Sequence, residues 1–240
     1  MTPSADASAA ILAQRIRTQL PTLFIRFGDG AVECILGNHD PKTPHTCDGE
    51  MYTPELGDAI DDTITALHCS HHKETVMMGD WRTAESPGSK PRHIKDWETL
   101  IVPERWALLH FETLLLMRIS TTLLDFYQTV RFDRRRKLFI GPASNHGAAR
   151  MLAADHLIVP DRDLFANVGW IKSKLDEIDP QVVLYGAGMA GNIPVVQHWA
   201  EHPDRTYIAL GSALDPLFRG RSRSNQIRKD QAEKLFKEIL

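Results

Sequence analysis

The chain has 240 residues, 42% of them hydrophobic and 25% charged, with a formal net charge of −3. This is enough apolar sequence to bury a substantial core, and it suits one large α/β domain or two small ones. No run approaches the roughly 20 apolar residues of a membrane-spanning helix, and the slightly acidic balance excludes a general affinity for nucleic acid or anionic membrane, so any such partner needs a local basic patch.

In chain order, a helix is predicted over 7–20, where Ile11, Leu12, Ile16 and Leu20 stand at helical spacing before Pro21. The strand "TLFIRF" follows, and then a loop over 37–55 rich in Pro, Gly and polar residues. "TVMMG" over 75–79 reads as a buried strand, 79–98 as a second loop near the site mouth, and 103–127 as one long or two short helices. A strand at 136–141, a helix near 145–154, a strand at 156–160, a helix near 167–178, the strand "VVLYG", a helix near 190–201, the strand at 206–211 and a closing helix from Asn225 complete the pattern. Strands alternating with long helices predict a mostly parallel, Rossmann-like α/β sheet with helices on both faces. No linker divides the chain, so 1–240 is expected to be a single domain. Cys34, Cys47 and Cys69 are odd in number and lack a C-x-x-C spacing, and the opening "MTPSADASAA" has neither the basic nor the apolar region of a signal peptide. A cytoplasmic location is the expectation.

Ligands of parallel sheets sit beyond the carboxyl ends of the strands, which directs attention to the turns there. "LYGAGMAGNIP" carries Gly186, Gly188 and Gly191 in the spacing G-x-G-x-x-G, with Met189 and Asn192 inside the same turn. A strand running through glycines into a helix can offer backbone amides to a phosphate. The acidic residue expected about 20 positions on for an NAD ribose, at the end of the next strand, is missing there: that strand ends Ala209-Leu210-Gly211, and the nearest acid is Asp215. The turn therefore fits a phosphate compound of mononucleotide type, or simply a tight turn with close helix packing.

"FIRFGDGAVECILG" repeats this grammar near the other end of the chain, with Arg26 on a strand, Gly28 and Gly30 in the turn, and Asp29 and Glu33 four apart on one face if a helix begins there. Arg26 offers a planar fork for phosphate oxygens, and two carboxylates beside a diphosphate can hold Mg²⁺ or Mn²⁺. A capping Asp29 beside a buried Arg26 ion pair is the plainer alternative.

"RFGDG" at 26–30 resembles the opening motif of the GT-D type glycosyltransferases, usually R-F-G-D-G-E, and "LFIGPASN", "VVLYGAGMAGNI" and "YIALGSALDPL" are similar to later segments of that family. The resemblance spans about residues 22–220. It implies a domain that transfers a sugar from a nucleotide sugar, a UDP-sugar foremost, to an acceptor hydroxyl. It also implies donor contacts from Arg26, Gly28, Gly30, Asn145, Gly186, Gly188, Met189, Gly191 and Asn192, and a metal on Asp29. The family's Glu falls on Ala31, which has no ligand atom. Either Glu33 takes its place, or basic side chains serve the diphosphate without Mn²⁺ or Mg²⁺.

Asp215, after the last strand, is a candidate to bind a sugar hydroxyl or act as general base, as is Glu33, and a turn residue before Pro216 is the alternative. Trp81 can stack on a ring or pack under its loop. Arg219, Arg221 and Arg223 form a basic segment able to clamp diphosphate or lie along a polyanionic acceptor. The acceptor stays open between glycan, protein and hydroxymethylated DNA. The rivals are a Rossmann-type NAD(P)-dependent oxidoreductase and a nucleotide-binding domain without turnover.

Overall fold

The computed structural model describes residues 1–37, 42, 44–46, 49–84, 90–115, 120–219 and 229–237. Seven strands form one sheet: β1 (Thr22–Ile25), β2 (Val76–Asp80), β3 (Ala107–His110), β4 (Lys137–Pro142), β5 (Asp155–Val159), β6 (Val182–Tyr185) and β7 (Thr206–Ala209). Their order is β3-β2-β1-β7-β6-β4-β5, and every neighbouring pair is parallel. Every residue of β1, β2, β4, β6 and β7 is buried, as strands covered on both faces require.

Side chains alternate between two cores. Leu23 and Ile25 face one side with Met78, Val183 and Tyr207, and Phe24 faces the other with Met77, Leu184 and Ile208. The first core is closed by α2 (Asp29–Leu36), α3 (Pro54–Cys69), α4 (Lys90–Ile101), α7 (Val168–Ile178) and α8 (Asn192–Glu201). The second is closed by α1 (Ala5–Arg17), α5 (Thr121–Phe132), α6 (His146–Leu152), the short α9 (Asp215–Phe218) and α10 (Lys229–Phe236). This division follows from right-handed crossovers, which put a helix on one face when the chain steps one way along the sheet and on the other when it steps back. The chain leaves β1 toward β2 and β3, crosses to β4, and returns last to β7, so the order reverses between β1 and β7. A crevice is expected at that point.

Three segments differ from the sequence expectation. The stretch 103–127 is not a continuous helix: it holds β3, a turn, and only then α5, whose N-cap Ser120 accepts from the Leu123 amide. Its apolar run "WALLHF" satisfies a helix or a buried strand equally, and pairing with β2 decides for the strand. The second expected loop contains α4, which buries Trp97 and Ile101. Between the first loop and β2 lies α3, opened by Thr53, whose side chain accepts from the Leu56 amide, with Pro54 in the first turn.

Trp81 is 4% exposed and packs in the core, so it stacks on no ligand. Within the basic run 131–137, Arg131, Arg135 and Lys137 are held by internal bonds, while Arg134 is exposed. Arg135 binds Asp133 at 2.7 Å and Thr206 at 3.1 Å, Arg131 donates to the Met151 carbonyl at 2.7 Å, and Lys137 donates to the Asp133 carbonyl.

Candidate active site

The turn after β1 is fixed by three distant elements. The Trp97 indole donates to the Phe27 carbonyl at 2.8 Å, the Asn192 amide nitrogen donates to the Arg26 carbonyl at 2.9 Å, and Arg26 Nη1 donates to the Phe111 carbonyl at 3.0 Å. The Arg26 guanidinium also lies 5.3 Å from the centre of the Phe111 ring. Its other end passes over Gly211, which has a φ of +56°, and a Cβ there would collide with Arg26 Nη2. Gly211 therefore serves two needs, a left-handed turn after β7 and room for the guanidinium.

Asp29 opens α2, and its Oδ1 accepts from the Gly30 amide at 3.0 Å. The glycine turn after β6 lies opposite. Gly188 has a φ of +61°, while a Cβ on Gly191 would stand 2.8 Å from that of Ala187, so Gly191 permits close packing. Gly191, Asn192 and Ile193 spend their amides on the carbonyls of Ala187, Met189 and Ala190. An anion received at this turn therefore meets the earlier amides, at Ala187, Gly188 and Met189, all of which line the cleft. Asn192 is 3% exposed and bridges strands: its Oδ1 accepts from the Tyr185 hydroxyl at 3.0 Å while its nitrogen holds Arg26 in place.

Together these turns floor a cleft of about 690 Å³ at the β1–β7 reversal, large enough for a nucleotide sugar. One wall is a small hairpin in which His45 pairs with Met51 and the Thr46 amide donates to the Glu50 carbonyl at 2.7 Å. Glu50, 2% exposed, anchors the hairpin to the segment after β5: its two carboxylate oxygens accept from the Leu164 and Phe165 amides at 2.9 and 3.2 Å. The far wall carries Asp161, Arg162, Asp215 and Arg219. Arg219 Nη2 donates to both oxygens of Asp161 at 2.5 and 2.6 Å, and its Nη1 stands 3.9 Å from Asp215 Oδ2.

The structure thus brings Arg26, Gly28, Asp29, Gly30, Gly186, Gly188, Met189, Asn192, Asp215 and Arg219 to one cavity. Three expected members stand outside its lining. Glu33 turns away, accepting from the Tyr52 hydroxyl at 2.6 Å and lying 3.2 Å from His93 Nε2, because one helical turn from Asp29 carries it under the hairpin. Asn145 is buried at 3% exposure in the turn before α6, and Gly191 packs beneath the turn. Arg221 and Arg223 lie outside the described residues. Sequence reasoning missed Phe111, Thr46, Glu50, Asp161 and Arg162. Only the polar, Pro-rich character of 37–55 hinted at a wall there.

Cys34, beneath the cleft with its Sγ 3.7 Å from Met189 Sδ, is no nucleophile: burial, reinforced by Glu33 and Glu50, pushes its thiol up to about 12. Burial likewise raises the Tyr185 hydroxyl far above its ordinary value, so that it serves as a neutral donor to Asn192. Among the described residues no helix is long and apolar enough to cross a membrane.

No family model matches the chain, and no curated protein matches it in sequence. Its fold is similar to a solved structure described as a new glycosyltransferase (DUF1792) from Streptococcus sanguinis, with a TM-score of 0.64 and 14% identity over 100% of this chain and 92% of that one.

Proposed function

We propose that this chain is a glycosyltransferase that takes a sugar from a nucleoside-diphosphate donor, a UDP-sugar foremost, and passes it to an acceptor hydroxyl. The observation that carries this reading is the Arg26 guanidinium, held by the Phe111 carbonyl and passing over Gly211 in the crevice between β1 and β7, with Asn192 fixing the Arg26 backbone, beside Asp29 and the glycine turn. The likeness of the whole fold to a solved glycosyltransferase agrees with it.

In this mechanism Arg26 and the amides of Ala187 to Met189 receive the diphosphate. The acceptor oxygen attacks the anomeric carbon, the bond to the diphosphate oxygen breaks, and its electron pair leaves with the nucleoside diphosphate. Fixed donors at that oxygen stabilise the charge as it develops. The acceptor proton passes to the Asp215 carboxylate, which lines the far wall, rather than to Glu33, which faces Tyr52 and His93. The donor set does not fit a two-carboxylate Mn²⁺ or Mg²⁺ site: Asp29 is present, Ala31 offers nothing and Glu33 is turned away. The leaving charge is therefore assigned to Arg26. The acceptor, whether glycan, protein or modified DNA, enters from the side of Asp161, Asp215 and Arg219.

Thermal-shift and calorimetric titration with UDP-, GDP-, ADP- and TDP-sugars, with and without Mn²⁺, tests the reading. Binding of one donor class, with its turnover in the presence of acceptor, is expected. Tight NAD(H) binding with no nucleoside-diphosphate binding would replace the transferase with an oxidoreductase, and donor binding without hydrolysis or transfer would leave a nucleotide-binding domain.

A further inference from the structure

The amino-terminal edge of the sheet, away from the cleft, carries a second cluster. α8 starts at the cleft and runs back along the sheet for about 15 Å, bringing His198 and His202 to its far end. His198 stands in the last turn and His202 caps the helix, with ring centres 4.6 Å apart. Asp176, near the end of α7, faces them. One donor atom from each of Asp176, His198 and His202 lies within 4.8 Å of the other two.

His198 is fully buried, and its Nε2 has no hydrogen-bond partner. Asp176 Oδ1 is 3.8 Å away, too far for a hydrogen bond. A buried ring nitrogen without a partner is uncommon enough in a folded protein to need an explanation. The other ring nitrogen supplies one. Tyr207 places its hydroxyl 2.8 Å from His198 Nδ1 and donates to the His202 carbonyl at 3.3 Å. A metal at Nε2 selects the tautomer in which Nδ1 donates to the phenol oxygen and the phenol proton goes to the His202 carbonyl, leaving the Nε2 lone pair toward Asp176 and His202. A neutral imidazole oriented through its far nitrogen is the usual arrangement of a histidine metal ligand.

We propose that Asp176, His198 and His202 form a binding site for a divalent transition metal, zinc by the chemistry of its donors, with water completing the coordination and α7 pinned to the end of α8. Two imidazoles and a carboxylate suit Zn²⁺ and do not suit Mg²⁺ or Ca²⁺. A tetrahedral zinc at roughly 2.0–2.1 Å from its ligands separates them by about 3.3 Å. The cluster therefore has to close by up to about 1.5 Å, through the exposed Asp176 and the half-buried His202 while His198 stays fixed. Lys172 now bonds Asp176 at 2.7 and 2.9 Å and Glu201 at 2.8 Å. In the zinc-bound form Asp176 turns one oxygen to the cation and Lys172 keeps Glu201.

The test uses the full chain stripped with a chelator, titrated with ZnCl₂ by calorimetry and followed by melting. One equivalent should bind, and a hundredfold excess over Kd should raise Tm by roughly 5–10 °C, whereas MgCl₂ should leave Tm unchanged. His202→Ala and Asp176→Ala, both at accessible positions, should weaken binding by at least about 100-fold, and Tyr207→Phe, which only disorients His198, by about 10- to 100-fold. Cys69→Ser, which removes an exposed thiol elsewhere, should leave affinity unchanged. Zinc left unbound by the wild-type chain at about 100 µM, or bound equally by the His202 and Asp176 variants, would overturn the proposal.

Discussion

Gly211→Ala separates the role of Arg26 from the integrity of the fold. Gly211 sits at a φ of +56°, and a methyl group there enters the space of Arg26 Nη2. The left-handed backbone costs an alanine about 1–2 kcal/mol, which lowers Tm by roughly 2–8 °C in a chain of this size. The displaced guanidinium loses a charge-assisted contact to the donor diphosphate worth about 1.5–3 kcal/mol, which weakens UDP binding roughly 10- to 150-fold. Calorimetry with UDP and a melting curve on the same sample read the two effects separately. Arg26→Ala should reproduce the loss of affinity with a different change in Tm. If Gly211→Ala melts lower yet binds UDP as the wild type does, Arg26 does not hold the diphosphate and the proposed mechanism fails at its first step.

Asp29→Asn should leave Tm nearly unchanged, because an amide oxygen still accepts from the Gly30 amide, and should not weaken UDP binding, because no metal is lost and one negative charge beside the diphosphate is removed; a loss of transfer of about 100-fold that tracks a Mn²⁺ requirement of the wild type would refute the metal-free mechanism. Asn192→Ala takes an acceptor from the buried Tyr185 hydroxyl and a donor from the Arg26 carbonyl, and should cost about 1–3 kcal/mol in denaturant unfolding as well as loosening donor binding. Burial alone would raise the Asp80 carboxyl, but hydrogen bonds from Arg82 and Thr2 together with the Arg82 charge outweigh it and hold the group below its ordinary value. Its contribution to stability is therefore complete above about pH 4 and is lost as pH falls through the lowered folded value; melting curves between pH 2 and 6, roughly spanning that window, should show a shallower acid limb in Asp80→Asn. If the segment carrying Arg221 and Arg223 guides a DNA acceptor, transfer to DNA should fall steeply with salt, and the double alanine variant should raise the acceptor KM more than the donor KM. Salt-independent transfer to a neutral glycan, unaffected by both substitutions, would exclude that acceptor.

Local order was legible in the residues alone. Apolar runs of strand length alternating with helical patterns specify a parallel sheet, and the rule that ligands gather at the carboxyl ends of its strands selected the turns at Arg26 to Gly30 and Gly186 to Asn192, which meet across the cleft. Both features depend on neighbours in sequence, which is why a single chain displays them. The helix α4 and the strand β3 were not legible, since a short apolar run carries no period long enough to tell strand from helix until β2 offers it hydrogen bonds. The spacing of Asp29 and Glu33 placed both on one helical face, but it could not show that Tyr52 and His93 would take Glu33 out of the cleft. Nor could it show that Glu50 would tie the hairpin to Leu164 and Phe165, 114 and 115 residues away, or that Asn192 would reach Arg26 across 166. Those bonds join segments whose sequences place no constraint on one another, so only the closing of the sheet around the reversal between β1 and β7 decides which polar groups meet there and which are left facing the cleft.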